Sequence, residues 1–425
     1  MSKYYVSEKT AYLYEEPTGL KRAMVLIFGD EVEATGSAMN GRLPVTFRKK
    51  KGFIKEEALG NQPALELYFI DVGQGDSTFV VTPGGKTILI DGGINRRAMG
   101  FLAWKYRLDD PKNTVDVDLL VLSHADGDHI EGLTPIISHP QINVRRVIHS
   151  GIATFRSGAY KTSLGDTKKA GERKYLVTRH SKLEDLDVAK LSPSYAAWRY
   201  ALISEPAGPE CAAVDSSMAS INLGDSKVTL GILGPRLESL NGEKAYRWFE
   251  DEAHTINGHS VVLSLRYKNV TVLFGGDINR KGSENLLEDP AIRSKLSAHV
   301  FKAPHHGSHD FTPEFLDAVR PQISVISSGD DPDHGHPRAS FIGGVGKASR
   351  SDEPLVFSTE IAATFVEAGD VDNSIVTDSG AEARRLFKRR LHGMINVRTD
   401  GEKLYSARRV AAGYWWESYE KRAVD

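Results

Sequence analysis

The chain has 425 residues, more than one hydrophobic core usually serves, so it is read as one large domain with attachments or as two to three domains. With 40% hydrophobic and 26% charged residues and no apolar run near the ~20 residues of a membrane span, the composition is that of a soluble globular protein. A net charge of −2 lacks the excess of a protein that simply coats nucleic acid, and one cysteine, Cys211, excludes a disulfide framework and any all-thiolate metal site. The opening MSKYYVSEKT has no apolar stretch after its lysine, so a cytoplasmic, non-membrane protein is expected.

Residues 3–59 alternate short β-type runs with turn signals (YYVS, TAYLY, MVLIF, RLPVTF, GFIKEEAL), which predicts a small β-barrel over 1–60. Its expected work is packing or recruitment of a protein partner. After Gly60-Asn61-Gln62-Pro63 the pattern changes to strands alternating with helices. Two or three strands joined by Gly-rich turns are predicted in ALELYFIDVGQGDSTFVVTPGGKTILIDGG (64–93), and further strands at 117–123, 146–149, 227–233, 260–267, 270–274, 299–303 and 323–327. Helices are predicted at 97–108, 132–138, 285–289 and 313–319. This pattern predicts a layered α/β domain over 64–345, with sheets buried beneath helices. Within it, 150–222 is too long for a loop and reads as an inserted cap, helical over 183–204 and basic over 156–182. From 346 to 425 a C-terminal extension with a small β element is expected, carrying a second basic run over 384–390.

Chemistry concentrates just past strand ends. VDLLVLSHADGDHIEG sets His124, Asp126, Asp128 and His129 on one tight loop behind an apolar strand, and crowded carboxylates repel unless a cation neutralises them. Asp91 follows TILI, Asp277 follows VTVLF, and His305 and His306 follow VFKAP. Donors past the carboxyl ends of several strands converge on one edge of a sheet. His259, before the strand pair that leads to Asp277, is assigned to the same rim, with His149 at the end of RVIHS as its competitor. Imidazole and carboxylate without thiolate suit Zn²⁺ and also admit Mn²⁺.

These residues resemble the metallo-β-lactamase superfamily, which implies a four-layer αββα fold. FIDVGQGDS (69–77), ILIDGG (88–93), SHADGDHIEG (123–132), FKAPHHGS (301–308) and GHP (335–337) are similar in order and kind to the metallo-hydrolase domain of the ComEC/Rec-type DNA-uptake family and to phosphorylcholine esterases. The N-terminal run resembles a bacterial Src-homology-type barrel. The superfamily resemblance implies two divalent metal ions. His124, Asp126 and His259 would hold one, Asp128, His129 and one of His305 and His306 the other, and Asp277 would bridge. It gives Asp91 the task of orienting a ligand, or else of capping its turn. Asp71, Gln74 and Asp76 are expected to brace the ligand loop, with contact to substrate as the lesser reading, and His336 either donates to a phosphate or leaving group or caps the next helix.

A hydroxide held between two such ions is a nucleophile at neutral pH, and the pair can clamp both oxygens of a phosphodiester displacement. The expected function is therefore that of a metal-dependent phosphodiesterase or nuclease, with Asp128, His336 and Asp91 as its working residues and a phosphodiester, nucleic acid included, as substrate. A small-molecule phosphoester or lactone hydrolase would use the same metals. In the remaining alternative, a partner-binding module, the hydrolase fold is vestigial scaffold.

Overall fold

The computed structural model describes residues 2–204, 208–329, 335–360, 393–409 and 416–423. Its central strands are continuous apolar runs because both of their faces are covered. In Leu119–Leu122 all four side chains are buried. Leu119 and Val121 enter the layer between two sheets, whereas Leu120 and Leu122 enter the layer beneath the outer helices. Thr87–Ile90 divides in the same way, Ile88 and Ile90 inward and Leu89 outward. Strands covered on both sides lose the apolar–polar alternation of a half-exposed sheet.

Among the described residues the first sheet has nine strands. In spatial order they are Glu210–Ala213, Arg146–His149, Leu119–Leu122, Thr87–Ile90, Thr78–Val81, Leu65–Phe69, Ile395–Thr399, Lys403–Arg409 and Trp416–Arg422. The second has seven: Ser220–Ile221, Val228–Gly234, Val262–Tyr267, Val270–Phe274, Val300–Lys302, Ile323–Ile326 and Leu355–Ser358. Leu67, Val80 and Val121 of the first meet Leu263, Val272 and Val325 of the second in one apolar layer. Helices Arg97–Tyr106, Leu133–Ile137 and Pro193–Ile203 pack Phe101, Ile136 and Trp198 on the outer face of the first sheet. On the far side, Arg280–Leu287, Pro313–Val319 and Ala339–Ala348 pack Leu286, Phe315 and Phe341 on the second. The architecture is the expected αββα sandwich.

Local chemistry sets the helix starts. Asn279 caps Arg280–Leu287 by accepting from the Gly282 N–H, a contact worth about 1 kcal/mol, which moves the helix predicted at 285–289 five residues earlier. In the insertion, Ser192 accepts from the Tyr195 N–H and Pro193 follows at the first helical position, so the helix predicted from 183 begins only there. The basic stretch ahead of it is a hairpin, Thr167–Ala170 with Arg173–Leu176, whose second strand pairs with Glu243–Arg247. The insertion returns as Glu210–Ala213, the edge strand of the first sheet.

Residues beyond 345, read as an extension, enter both sheets. Leu355–Ser358 pairs parallel with Ile323–Ile326, and Ile395–Thr399 pairs antiparallel with Leu65–Phe69. The basic run 384–390 lies outside the described residues. The N-terminal strands form a seven-stranded antiparallel sheet around a core of its own, with Leu13, Leu26, Val45 and Ile54 at its centre. No helix among the described residues is long and apolar enough to cross a membrane.

Candidate metal centre

Strand polarity builds the site. Thr87–Ile90 and Leu119–Leu122 run parallel in one sheet, Val270–Phe274 and Val300–Lys302 in the other, so the residues after each strand meet at one rim. Asp91 and the 123–129 loop leave the first sheet there, and Asp277 and His306 leave the second. The backbone is bent to aim them. Asp91, His305 and His306 are left-handed, at φ 58°, 49° and 52°, a conformation that non-glycine residues hold only when their surroundings fix it.

Each imidazole is turned by a hydrogen bond behind it. Asp91 Oδ1 accepts from the Ser123 N–H at 2.8 Å and Asp91 Oδ2 lies 2.9 Å from His129 Nδ1, which leaves His129 Nε2 facing inward. His306 Nδ1 donates to the Ser327 carbonyl at 3.0 Å, leaving its Nε2 3.1 Å from Asp277 Oδ2 and 3.2 Å from Asp128 Oδ2. His129 Nε2 lies 3.3 Å from the same Asp277 oxygen. His124 Nδ1 is 3.0 Å from Ser123 Oγ. The Nε2 atoms of His124, His129 and His306 and Oδ1 of Asp277 are buried with no hydrogen-bond partner. Buried polar atoms are rarely left so, and a cation satisfies all of them at once. One atom each from His124, His129 and Asp277 falls within 4.8 Å, as does one each from Asp128, His129 and His306. Three imidazoles and two carboxylates are a donor set that fits a divalent transition metal.

Burial alone would strip these groups of charge, but their neighbours outweigh it. Against burial, Asp277 and Asp128 hold the His306 imidazolium up to about 9, and Asp277, Asp128 and Asp91 hold His129 well above the ordinary histidine value. Asp277, also against burial, is held well below the usual carboxylate range by His306 and His129. At neutral pH, two of the ligand imidazoles therefore carry the protons a metal would displace.

Other expected residues fall elsewhere. Asp126, with a side chain 39% exposed, comes within 3.7 Å of His124 Nε2 and joins none of these groups. His259 is not brought to them either. Its Nε2 is 2.7 Å from the Arg247 carbonyl, its ring stacks on Phe249 at 4.7 Å, and burial draws its pKa down to about 4. Its Nδ1 is buried without a hydrogen-bond partner but joins none of the groups, and a position before a strand does not distinguish such a packed imidazole from a ligand. His149 accepts from the Gly151 N–H at 3.2 Å and meets Trp198 edge-on at 5.8 Å, also outside the groups.

Of the adjacent pair, His306 enters the cluster. The His305 ring stands 5.9 Å from that of His336, which in turn stacks 6.1 Å from His306, so both border the site without joining a ligand group. Asp71 pairs with Arg97 at 3.1 Å, and burial followed by the nearby Glu360 pushes its carboxyl up to about 8. Asp76, expected as a brace or in contact with substrate, lies within 4.8 Å of Asp277 and His306. The signal for it was its place at the end of the Gly73–Asp76 turn.

Residues 70–329 match the family model described as metallo-beta-lactamase superfamily. ComE operon protein 3 of Bacillus subtilis (strain 168) is 24% identical over 294 residues, covering 65% of this chain and 30% of that protein, so the chain spans under a third of that relative. Among solved structures, a CmlA beta-hydroxylase mutant shares 12% identity with a TM-score of 0.36, over 72% of this chain and 54% of that one. With the family match running from the first signature turn past the last ligand, the chain belongs to the metallo-β-lactamase superfamily, whose members are generally metal-dependent hydrolases.

Proposed function

We propose that the chain is a metal-dependent phosphodiesterase acting on nucleic acid. The observation that carries its metal dependence is the convergence of buried, unpartnered His124, His129 and His306 Nε2 atoms on the carboxylates of Asp277 and Asp128. His129, His306, Asp128 and Asp277 would hold one divalent ion, and His124 with Asp277, joined by Asp126, would hold a second. Such ions supply a nucleophile at neutral pH and a counter-charge for the phosphate. The protein's own share is to orient and to exclude. Asp91 fixes the His129 tautomer, Ser327 fixes that of His306, and neither imidazole can rotate without losing a buried hydrogen bond. His305 and His336, whose rings border that of His306, would contact the phosphate oxygens.

Support for a phosphodiester comes from the five ordered signature segments. The insertion supports a polyanionic substrate, since Lys168 and Lys169 are exposed on their hairpin and make no ion pair among the described residues. The test is metal-stripped protein reloaded with Zn²⁺ or Mn²⁺, assayed on a chromogenic phosphodiester, single- and double-stranded DNA, RNA, cyclic dinucleotides and a lactone. About two ions per chain and diester cleavage are expected. Lactone turnover with every phosphodiester untouched would overturn the proposal.

A further inference from the structure

Five carboxylates gather at this rim, Asp76, Asp91, Asp126, Asp128 and Asp277, and among the described residues one ammonium pairs with any of them, Lys302 with Asp76. Both partners are almost fully buried, Lys302 3% and Asp76 4% exposed. Lys302 ends the strand Val300–Lys302, on the face whose other member, Val300, lies in the apolar layer between the sheets. A buried ion pair adds little stability over apolar side chains of similar volume, so packing gives no reason for a lysine here.

Its partner explains it. Asp76 Oδ1 is buried without a hydrogen bond, 3.7 Å from His306 Nδ1, and Asp76 has oxygens within 4.8 Å of donors on Asp277 and His306 and of donors on Asp91 and His129. The turn that carries it is pressed on the ligand loop. The Asp76 N–H donates to the Asp128 carbonyl at 3.3 Å, Ser77 Oγ donates to the Asp91 carbonyl at 3.0 Å, and a Cβ at Gly75, φ 109°, would strike that Asp128 oxygen.

We propose that Asp76 and Lys302 are a positioning pair for the metal centre: Lys302, reaching from the second sheet, holds the Asp76 carboxylate behind His306 and Asp277 and so fixes the distance between the ligands each sheet contributes. The proposal rests on the cluster being a metal centre, and it separates from simple electrostatics by sign. If Lys302 acted only through its charge, removing a cation beside the metals would tighten their binding; if it positions, removal weakens it.

Zn²⁺ and Co²⁺ affinity, the Co²⁺ absorption spectrum and metal-free melting are measured for the parent, Lys302→Met, Asp76→Asn and the double variant. Lys302→Met is expected to weaken binding about 10–100-fold, the range for changes behind a ligand, and to shift the Co²⁺ bands. The double variant, with no buried charge left unpaired, should melt close to the parent and still bind weakly. Tighter binding in Lys302→Met, or parental affinity and spectrum in the double variant, overturns the proposal. Asp76→Asn keeps the side-chain shape and serves if the double variant does not fold, since an unchanged spectrum there overturns it equally. A parent that takes up no metal overturns both this proposal and the metal reading, whereas a metal-loaded parent with indifferent variants overturns this one alone.

Discussion

An imidazole has two nitrogens, and in this protein the fate of the second decides the work of the first. His129 and His306 spend Nδ1 on Asp91 and Ser327, which frees Nε2 for the centre, whereas His259 spends Nε2 on a carbonyl and packs its ring on Phe249, so that its unpartnered Nδ1 joins none of the groups of candidate ligands. Asp128→Ala or His129→Ala should therefore lower phosphodiester turnover about 100-fold or more with the melting profile preserved, while His259→Phe should leave metal content at the parental level. Metal analysis beside the assay separates the two, and a metal-poor His259→Phe protein would return that residue to the ligand set. A second expectation concerns pH. His129 and His306 both hold their imidazole protons above the ordinary histidine range in the metal-free centre, so metal uptake must release protons, and apparent affinity should rise with pH, about tenfold per unit for each proton, with the His306 share of that rise ending above about 9. Calorimetry in buffers of different ionisation enthalpy reads the released protons directly, and a pH-independent affinity between 6 and 8 would refute the assignment. At this scale the ligand loop was legible because four donors in six positions leave little alternative. His259 was not, because rim position is shared by ligands and by core histidines, and only its contacts, Nε2 on the Arg247 carbonyl and the ring on Phe249, set it apart from the equally buried His129.

Between residue and fold stands the inserted hairpin, whose charge was legible while its division of labour was not. Of the basic residues over 156–182, Arg173 pairs with Glu238 at 3.4 Å, Arg179 with buried Asp215 at 3.0 Å, and Lys174 lies 3.4 Å over the Trp248 ring. Arg156 donates to the Leu191 carbonyl at 2.9 Å. Those partners lie up to seventy-odd positions away in sequence, so a count of positive charge could not remove them. What remains for a polyanion is Lys161, Lys168, Lys169 and Lys182, all exposed. Neutralising Lys168 and Lys169 should weaken nucleic-acid binding and lower its salt-dependence slope by about one unit or less per lost contact, with turnover of a small chromogenic diester unchanged. Arg179→Ala should act differently, reducing stability by leaving Asp215 with fewer partners. Binding titrations at several salt concentrations decide it, and a parental slope in the lysine variant would make the hairpin a solvated surface. Strand existence was the more readable feature, since Leu119–Leu122 and Val270–Phe274 are unbroken apolar runs with no other favourable fate.

For the whole molecule, the consequential contact is one that no local pattern could announce. Asp30 and Arg398 are 368 positions apart, yet the Arg398 guanidinium donates to Asp30 Oδ1 at 2.9 Å and to the Tyr68 hydroxyl at 3.1 Å, with Tyr68 in turn accepting from Lys105 at 2.8 Å. The strand that brings Arg398 there, Ile395–Thr399, lies beside Leu65–Phe69, so the C-terminal segment supplies the surface on which the N-terminal sheet sits. Phe28 stacks on Tyr405 at 3.9 Å, and Arg48 lies 3.7 Å over Trp104. A module merely tethered for recruitment would not share a buried ion-pair network with its neighbour. Asp30→Asn should cost about 2 kcal/mol, the scale of a hydrogen bond to a charged group, and lower the unfolding midpoint of the full chain. Deleting 1–60 should lower it further, because Tyr405 and Trp104 lose their covers together. Turnover per folded molecule should survive either change, since these contacts run to Trp104, Arg398 and Tyr405 and not to the metal ligands. A truncated chain that melts like the parent would show the sheet to be an independent attachment, and one that folds but loses metal would show that its support reaches the centre.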